Sequence, residues 1–133
     1  MGDPILPPDV EAQQITYLKA ALAARGVAGV WVGNHLPKTV PAKAILVRDD
    51  GGPRLDAVRF VARVGYRVWS GMKVENPADS FDLANLAAAL VGACADGLPV
   101  VKASTTRPFS VEDESGRPVH YFTSELIVRG STL

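Results

Sequence analysis

One cysteine and two histidines among 133 residues leave almost no material for metal or redox chemistry. Cys94 has no partner for an internal disulfide, which points to a reducing compartment. His35 and His120 lie far from each other and from Cys94 along the chain, so no metal-ligand spacing arises and no cofactor is expected. A Cys-His pair could still form in space, but a cysteine in the middle of an apolar helix is far more often packing than nucleophile. No apolar run reaches the ~20 residues of a membrane span, and no basic start leads into an apolar leader, so a soluble protein without a membrane partner is expected. Charge of one sign is missing too. Fourteen basic residues balance fourteen acidic ones, without the positive excess of a protein that grips nucleic acid tightly.

Glycine supplies no phosphate cradle. Gly51 and Gly52 stand in an expected hairpin turn and not between a strand and a helix. The acidic run Glu112, Asp113 and Glu114 lacks the further oxygen ligands and the spacing of a calcium loop. It reads as a solvated hairpin tip or as a docking point for a basic partner.

The composition itself, 47% hydrophobic and 21% charged, is that of a folded domain, and a chain of this length supports one core. Charge is spread unevenly along it. From Lys38 to Lys73, eight basic residues face three acidic ones, so the remainder carries the opposite excess. Unlike surfaces on one molecule suit head-to-tail contacts between identical neighbours, whereas the plainer account is that long basic side chains solubilise exposed strands.

Met1 to Pro8 holds three prolines and should be extended or disordered until it meets a partner. Asp9 then caps a helix over Val10 to Arg25, with Val10, Ile15, Leu18, Ala21 and Leu22 at helical spacing and Gly26 as the stop. Val27 to Val32 and Ala42 to Arg48 read as strands separated by a loop from Gly33 to Pro41. Asp50, Gly51, Gly52 and Pro53 should turn the second of these back onto a long strand beginning near Leu55. In that strand Val58, Phe60, Ala62, Val64, Tyr66 and Val68 alternate with Arg59, Val61, Arg63, Gly65, Arg67 and Trp69. One face is core. The other presents Arg59, Arg63 and Arg67 roughly 13 Å apart, open to ion pairs with a neighbouring subunit, to lining a channel, or to solvation alone.

Asn76, Pro77 and Asp79 announce a second helix running to about Asp96, with Gly97 ending it and Cys94 in its core. It is apolar around much of its circumference and needs heavy cover. Val100 to Val111 and Val119 to Arg129 form a long hairpin whose tip is Glu112 to Pro118, with Phe122, Ser124, Leu126 and Val128 facing inward. The predicted architecture is a single α+β domain: a mostly antiparallel sheet of four to five strands with both helices on one face.

In this order the segments PDVEAQQITYLKAAL, AILVRDDGG, VRFVARVGYRVWSG, PADSFDLANLAAALVGAC and VHYFTSELIVRG resemble the tail terminator proteins of long-tailed bacteriophages. The likeness is to the minor tail protein U-like forms from phages of high-GC actinobacterial hosts, and it covers nearly the whole chain. The resemblance implies a homohexameric ring, part of the virion and assembled in the host cytoplasm. Such a ring seats on the head-proximal end of the tail tube, stops its polymerisation and meets the head completion or connector proteins while double-stranded DNA passes through. It implies no catalytic residue. Contact with tube or connector is expected from the loop carrying Asn34, His35 and Lys38 and from the arm carrying Arg107, Glu112, Asp113, Glu114 and Arg117. The competing expectations are another ring protein of the same junction, or a small enzyme or ligand-binding domain using His120, Tyr121 or Cys94.

Overall fold

The computed structural model describes residues 4–70 and 77–132. The expected helix cap Asn76, the basic Lys73 and the first three residues of the proline-bearing start lie outside them.

Helix α1, Val10–Ala24, begins where Asp9 Oδ1 accepts the Ala12 backbone N–H at 3.0 Å. This satisfies one of the donors that a helix start leaves open. The buried line down α1 is Val10, Gln14, Leu18 and Leu22, one residue per turn, and its second member is polar. Gly26, at φ 72°, supplies the left-handed residue that ends the helix. Helix α2, Pro77–Gly92, stops before the expected Asp96. Beyond Gly92 the chain has to turn towards the sheet. Asp96 Oδ1 takes the Leu98 N–H at 2.9 Å, and Gly97, at φ 90°, donates to Val100 O at 2.7 Å. Gly97 therefore shapes a turn and not a helix end.

Among the described residues the main sheet has six strands, β2 (Trp31–Gly33), β3 (Lys43–Asp49), β4 (Arg59–Ser70), β5 (Val100–Thr105), β6 (Phe109–Val111) and β7 (Val119–Arg129). Their order across the sheet is β2-β3-β4-β7, with β5 and β6 both pairing the far side of β7. The outgoing arm of the C-terminal hairpin is thus one strand broken at Thr106–Pro108, where Thr106 Oγ1 accepts the Thr123 N–H at 2.9 Å and spans the gap. A separate ribbon pairs β1, Ile5–Leu6, with β8, Ser131–Thr132. The extended start expected to await a partner finds part of one in the chain's own last residues.

Two further departures have local causes. Strand β2 is shorter than Val27 to Val32 because Gly29 takes φ 75°, and it pairs parallel with β3 where a meander would be antiparallel. The reversal into β4 falls not at Asp50–Pro53 but at Leu55–Arg59. There Asp56 Oδ1 accepts the N–H groups of Val58 and Arg59. Asp50 to Pro53 instead continue alongside β4, with Arg63 N donating to Gly51 O and Val61 N to Pro53 O. A Cβ on Gly52 would sit 2.1 Å from Val61 O, so glycine there lets the two backbones touch.

Both helices cover one face of the sheet. Ile45, Val47, Val64, Tyr66, Val68 and Phe122 are wholly or almost wholly buried beneath them, and Tyr66 stacks on its cross-strand partner Phe122 at 4.4 Å between centroids. Each such side chain contributes about 1.5–3 kcal/mol through burial. Inside this core the Tyr66 hydroxyl bonds Gln14 Oε1 at 2.7 Å and Ser124 Oγ at 2.9 Å, and Gln14 Nε2 reaches Cys94 Sγ at 3.5 Å. Burial pushes both the Tyr66 phenol and the Cys94 thiol up from their ordinary values. Cys94 is packing, as expected. Among the described residues the opposite face carries no helix. A small cluster of Ala44, Trp69 and Val119, flanked by Trp31, Leu36 and Val111, is covered there. No helix among the described residues is long and apolar enough to cross a membrane.

Candidate functional site

The helix-free face is where strand β4 delivers Arg59, Arg63 and Arg67, as the alternation predicts. All three are exposed. Register places Leu46 and Tyr121 beside Arg67, Glu125 beside Arg63, and Arg129 beside Arg59. Two of the three arginines meet a carboxylate of their own chain. Arg63 Nε lies 3.6 Å from Glu125 Oε2, and Arg59 Nη2 lies 2.6 Å from Asp56 Oδ2. The Arg59 guanidinium, helped by the Val58 N–H, holds the Asp56 carboxyl down at about 2. Both pairs are open to solvent, where water screens such contacts, so they tune the field of the face more than they hold the fold. Arg48 and Arg129, which the sequence did not single out, join this face through the register of β3 and β7.

The loop and the hairpin tip, nominated separately, come together at one end of the sheet. Arg117 Nη2 donates to Pro41 O at 2.9 Å and to Ala42 O at 3.1 Å, clasping the base of the tip to the loop that precedes β3. At the other end of that loop Asn34 Nδ2 donates to Glu11 Oε1 at 2.7 Å, and Glu11 also receives the Asp49 N–H. Asn34 and Arg117 therefore brace segments of their own subunit. Asp113 turns back on the sheet. Burial pushes its carboxyl up, but hydrogen bonds from Ser115 and Trp69 and the charge of Arg67 outweigh that and leave it below its ordinary value. His35, Lys38, Glu112 and Glu114 remain exposed around this rim. Arg107 is exposed as well but stands apart, at the break between β5 and β6 on the sheet's edge.

Between the rim and β4 lies a groove of about 630 Å³ lined by Leu36, Leu46, Trp69, Phe109, Val111 and Tyr121, with Arg48 and Arg67 at its side. Its floor crosses Gly65, where a Cβ would stand 2.5 Å from the Tyr121 hydroxyl. Phe109 meets Tyr121 edge to face at 5.7 Å. Sequence reasoning missed this groove. The signal available was Trp69, a large aromatic on the strand face otherwise given to arginine.

A hydroxyl–imidazole pair lies on the other side of the sheet. Ser80 Oγ and His120 Nδ1 are 2.7 Å apart, the spacing of a nucleophile and its base. Ser80 is completely buried and His120 is only 6% exposed. Among the described residues no group of three His, Cys, Asp or Glu side chains is placed to hold a metal.

Burial holds the His120 imidazole below its ordinary value. The unfolded chain gains a proton there near pH 6.5 that the native state resists, so the stabilisation is fully present above that pH and is lost as pH falls. Chemical denaturation between pH 7 and pH 5.5 should show stability declining by at most ~1.4 kcal/mol per pH unit from this group. His120→Asn should flatten that decline. An unchanged slope in the variant would remove His120 as its source.

Compared with known proteins, the chain matches no family model and no curated sequence.

Proposed function

We propose that this chain is a ring-forming structural subunit of the tail terminator kind, built into the head–tail junction of a long-tailed phage. Six copies close into a ring on the head-proximal end of the tail tube, end its growth, and present the opposite surface to head completion or connector proteins. DNA passes through the lumen. The observation that carries this reading is the clasped rim: a loop and a hairpin tip more than seventy residues apart are bound by Arg117 into one braced, charged end beside a helix-free sheet face. A surface of that kind suits docking onto a protein cylinder. The partial pairing of Arg59 and Arg63 within the chain agrees with a conduit, since a wall that let DNA slide should not hold phosphate tightly.

The test is electron microscopy of purified protein mixed with tail tubes. Sixfold rings confined to one tube end are expected, and tubes left bare, or tails of uniform length from a virus lacking the gene, would overturn the reading. Reversing charge at Arg63 and Arg67 together should leave the fold intact, because both side chains are exposed. It should impair ring formation or length control. Rings and infectivity at the unmodified level would take these arginines out of the mechanism.

A further inference from the structure

The ribbon of β1 and β8 stands apart from the main sheet, and its two strands are held differently. β8 follows directly on β7 through Gly130, whose N–H donates to Val58 O at 2.8 Å. β1 hangs from the start of α1 by Pro7 and Pro8 alone. Neither proline has an N–H to donate, and each keeps the residue before it extended, so the link is a stiff strut and not a turn. None of residues 4–9 is buried, and only Ile5 and Pro8 are partly covered. Helix α1 secures its own start, through the Asp9 cap and through Glu11, which accepts from Asn34 and from the Asp49 N–H. Lifting β1 away therefore unravels nothing behind it.

The place that β1 fills is shaped for it. A Cβ on Gly130 would stand 2.6 Å from Ile5 Cγ2, 2.6 Å from Leu6 O and 2.9 Å from Phe60 Cε2. The notch at Gly130 is thus a seat for one strand, and β1 is the strand that fits it. Apolar surface around the seat stays open even with β1 in place: Leu98 is 78% exposed, Leu6 45% and Val58 38%. Val58 O and Pro99 O accept the N–H groups of Gly130 and Arg129, so Val58 and Leu98 flank the notch from the two strands beside β7. Both signs of charge surround it, Arg54, Arg59 and Arg129 with Asp56 and Asp96, so shape and backbone pairing select the occupant and charge does not. We infer that β1 is exchanged between copies, the β1 of one subunit pairing with β8 of the next across the Gly130 notch. The pairing and the Ile5 contact are the same in either arrangement, so exchange gives up nothing inside the subunit, and the arriving neighbour covers the Leu98 and Val58 rim. The short stiff link favours it, because a detached β1 stays extended and loses little further entropy in a neighbour's seat. Ile5 reaches at most about 14 Å from Asp9, so the neighbour's β8 lies within that distance of the helix start. The joint is heterologous, and a rotation that returns on itself closes it into a ring. It specifies a joint of the proposed ring and rests on that reading for closure alone.

The test mixes two single variants, Ile5→Cys and Thr132→Cys, whose positions are register partners in the ribbon, while the native Cys94 stays buried. Oxidised at high concentration or on tail tubes, the mixture should yield covalent pairs holding one chain of each kind, about tenfold more abundant than pairs of like chains, whose cysteines are out of register. The double variant Ile5→Cys with Thr132→Cys should give covalent multimers in the assembly and a self-closed monomer when diluted before oxidation. Complementation gives an independent measurement. Gly130→Val fills the seat and Ile5→Asp spoils the strand, so each alone should fail to self-associate, and the two together should form heterodimers. Tube-capping rings in which the double variant closes only on itself, without mixed pairs, would overturn the exchange and leave the ring reading standing. So would Gly130→Val or Ile5→Asp protein that assembles unaided. Mixed pairs in a protein that never caps tubes would uphold the exchange and sink the tail role. Protein that never associates, in solution or on tubes, would overturn both.

Discussion

Replacing Gly52 with alanine should destabilise the domain by about 3 kcal/mol, and by more than the same change at Gly51. The two neighbours fail for different reasons. Gly51 has φ 80° and nothing within 4 Å of a built Cβ, so alanine there meets only backbone strain, worth about 1 kcal/mol. At Gly52 the Cβ lands 2.1 Å from Val61 O and 2.8 Å from Val61 C. Those atoms belong to β4, which at Val61 is paired to Ile127 of β7 and cannot withdraw without breaking that ladder. The Asp50–Pro53 segment has to lift away instead, giving up Val61 N to Pro53 O and the contacts of Gly51 with Arg63. Equilibrium denaturation of the two variants checks this. A Gly52→Ala protein within 1 kcal/mol of the parent, or no worse than Gly51→Ala, would show that the segment is not pinned as described.

Tyr66→Phe should cost about 2 kcal/mol even though it removes one oxygen and leaves the ring stacked on Phe122. The hydroxyl is the hub of a buried network. Without it Gln14 Oε1 loses its 2.7 Å donor and Ser124 Oγ its 2.9 Å partner, both inside the core. Stranding a buried polar group is more expensive than never having placed it there, so Gln14→Leu in the Tyr66→Phe background should recover part of the loss. A double-mutant cycle of the two substitutions measures the coupling, expected at about 1 kcal/mol or more. Additive effects, or a Tyr66→Phe cost below 0.5 kcal/mol by the same denaturation experiment, would mean that the network contributes nothing beyond packing.

That network also marks a boundary of what could be read from the chain. Local periodicity carried far: the Asp9 cap, the extent of α1 and the inward residues Ala62, Val64, Tyr66 and Val68 stand where alternation and spacing put them, whereas Phe60 is only partly buried and Val58, ahead of β4, is exposed. The inward set Phe122, Ser124, Leu126 and Val128 also stands as the alternation predicts. Gln14 did not show itself, because a glutamine at a core position looks like surface until its partners, Tyr66 on β4 and Cys94 beyond the end of α2, are known. Turn chemistry misled at Asp50–Pro53. Those residues suit a tight reversal, yet the close backbone approach at Gly52 keeps the chain running and leaves the reversal to Asp56. The parallel pairing of β2 with β3 and the β1–β8 ribbon had no local trace, since both are set by residues distant in sequence.

For the candidate surface the outcome divides in the same way. The outward arginines followed from a period of two, whereas the meeting of the loop before β3 with the hairpin tip rests on Arg117 reaching Pro41 and Ala42 and on Leu36 and Val40 packing in one cluster with Val111, all contacts between residues distant in sequence. Arg117 and Asn34, nominated as contacts for other proteins, turn out to hold their own segments in place. Arg107 is separated from the tip by strand β6, so the arm named as one unit is two.

The hollow beneath Tyr121 owes its depth to atoms that are not there. Systematic truncation to alanine, the usual way to map a binding surface, deletes side chains and so passes over position 65 or reports it as a gain of bulk. A serine or valine at Gly65 would press on the tyrosine ring and fill the depression from below, altering what a neighbour meets without touching a single exposed charge. The informative scan of this face is therefore one that adds mass.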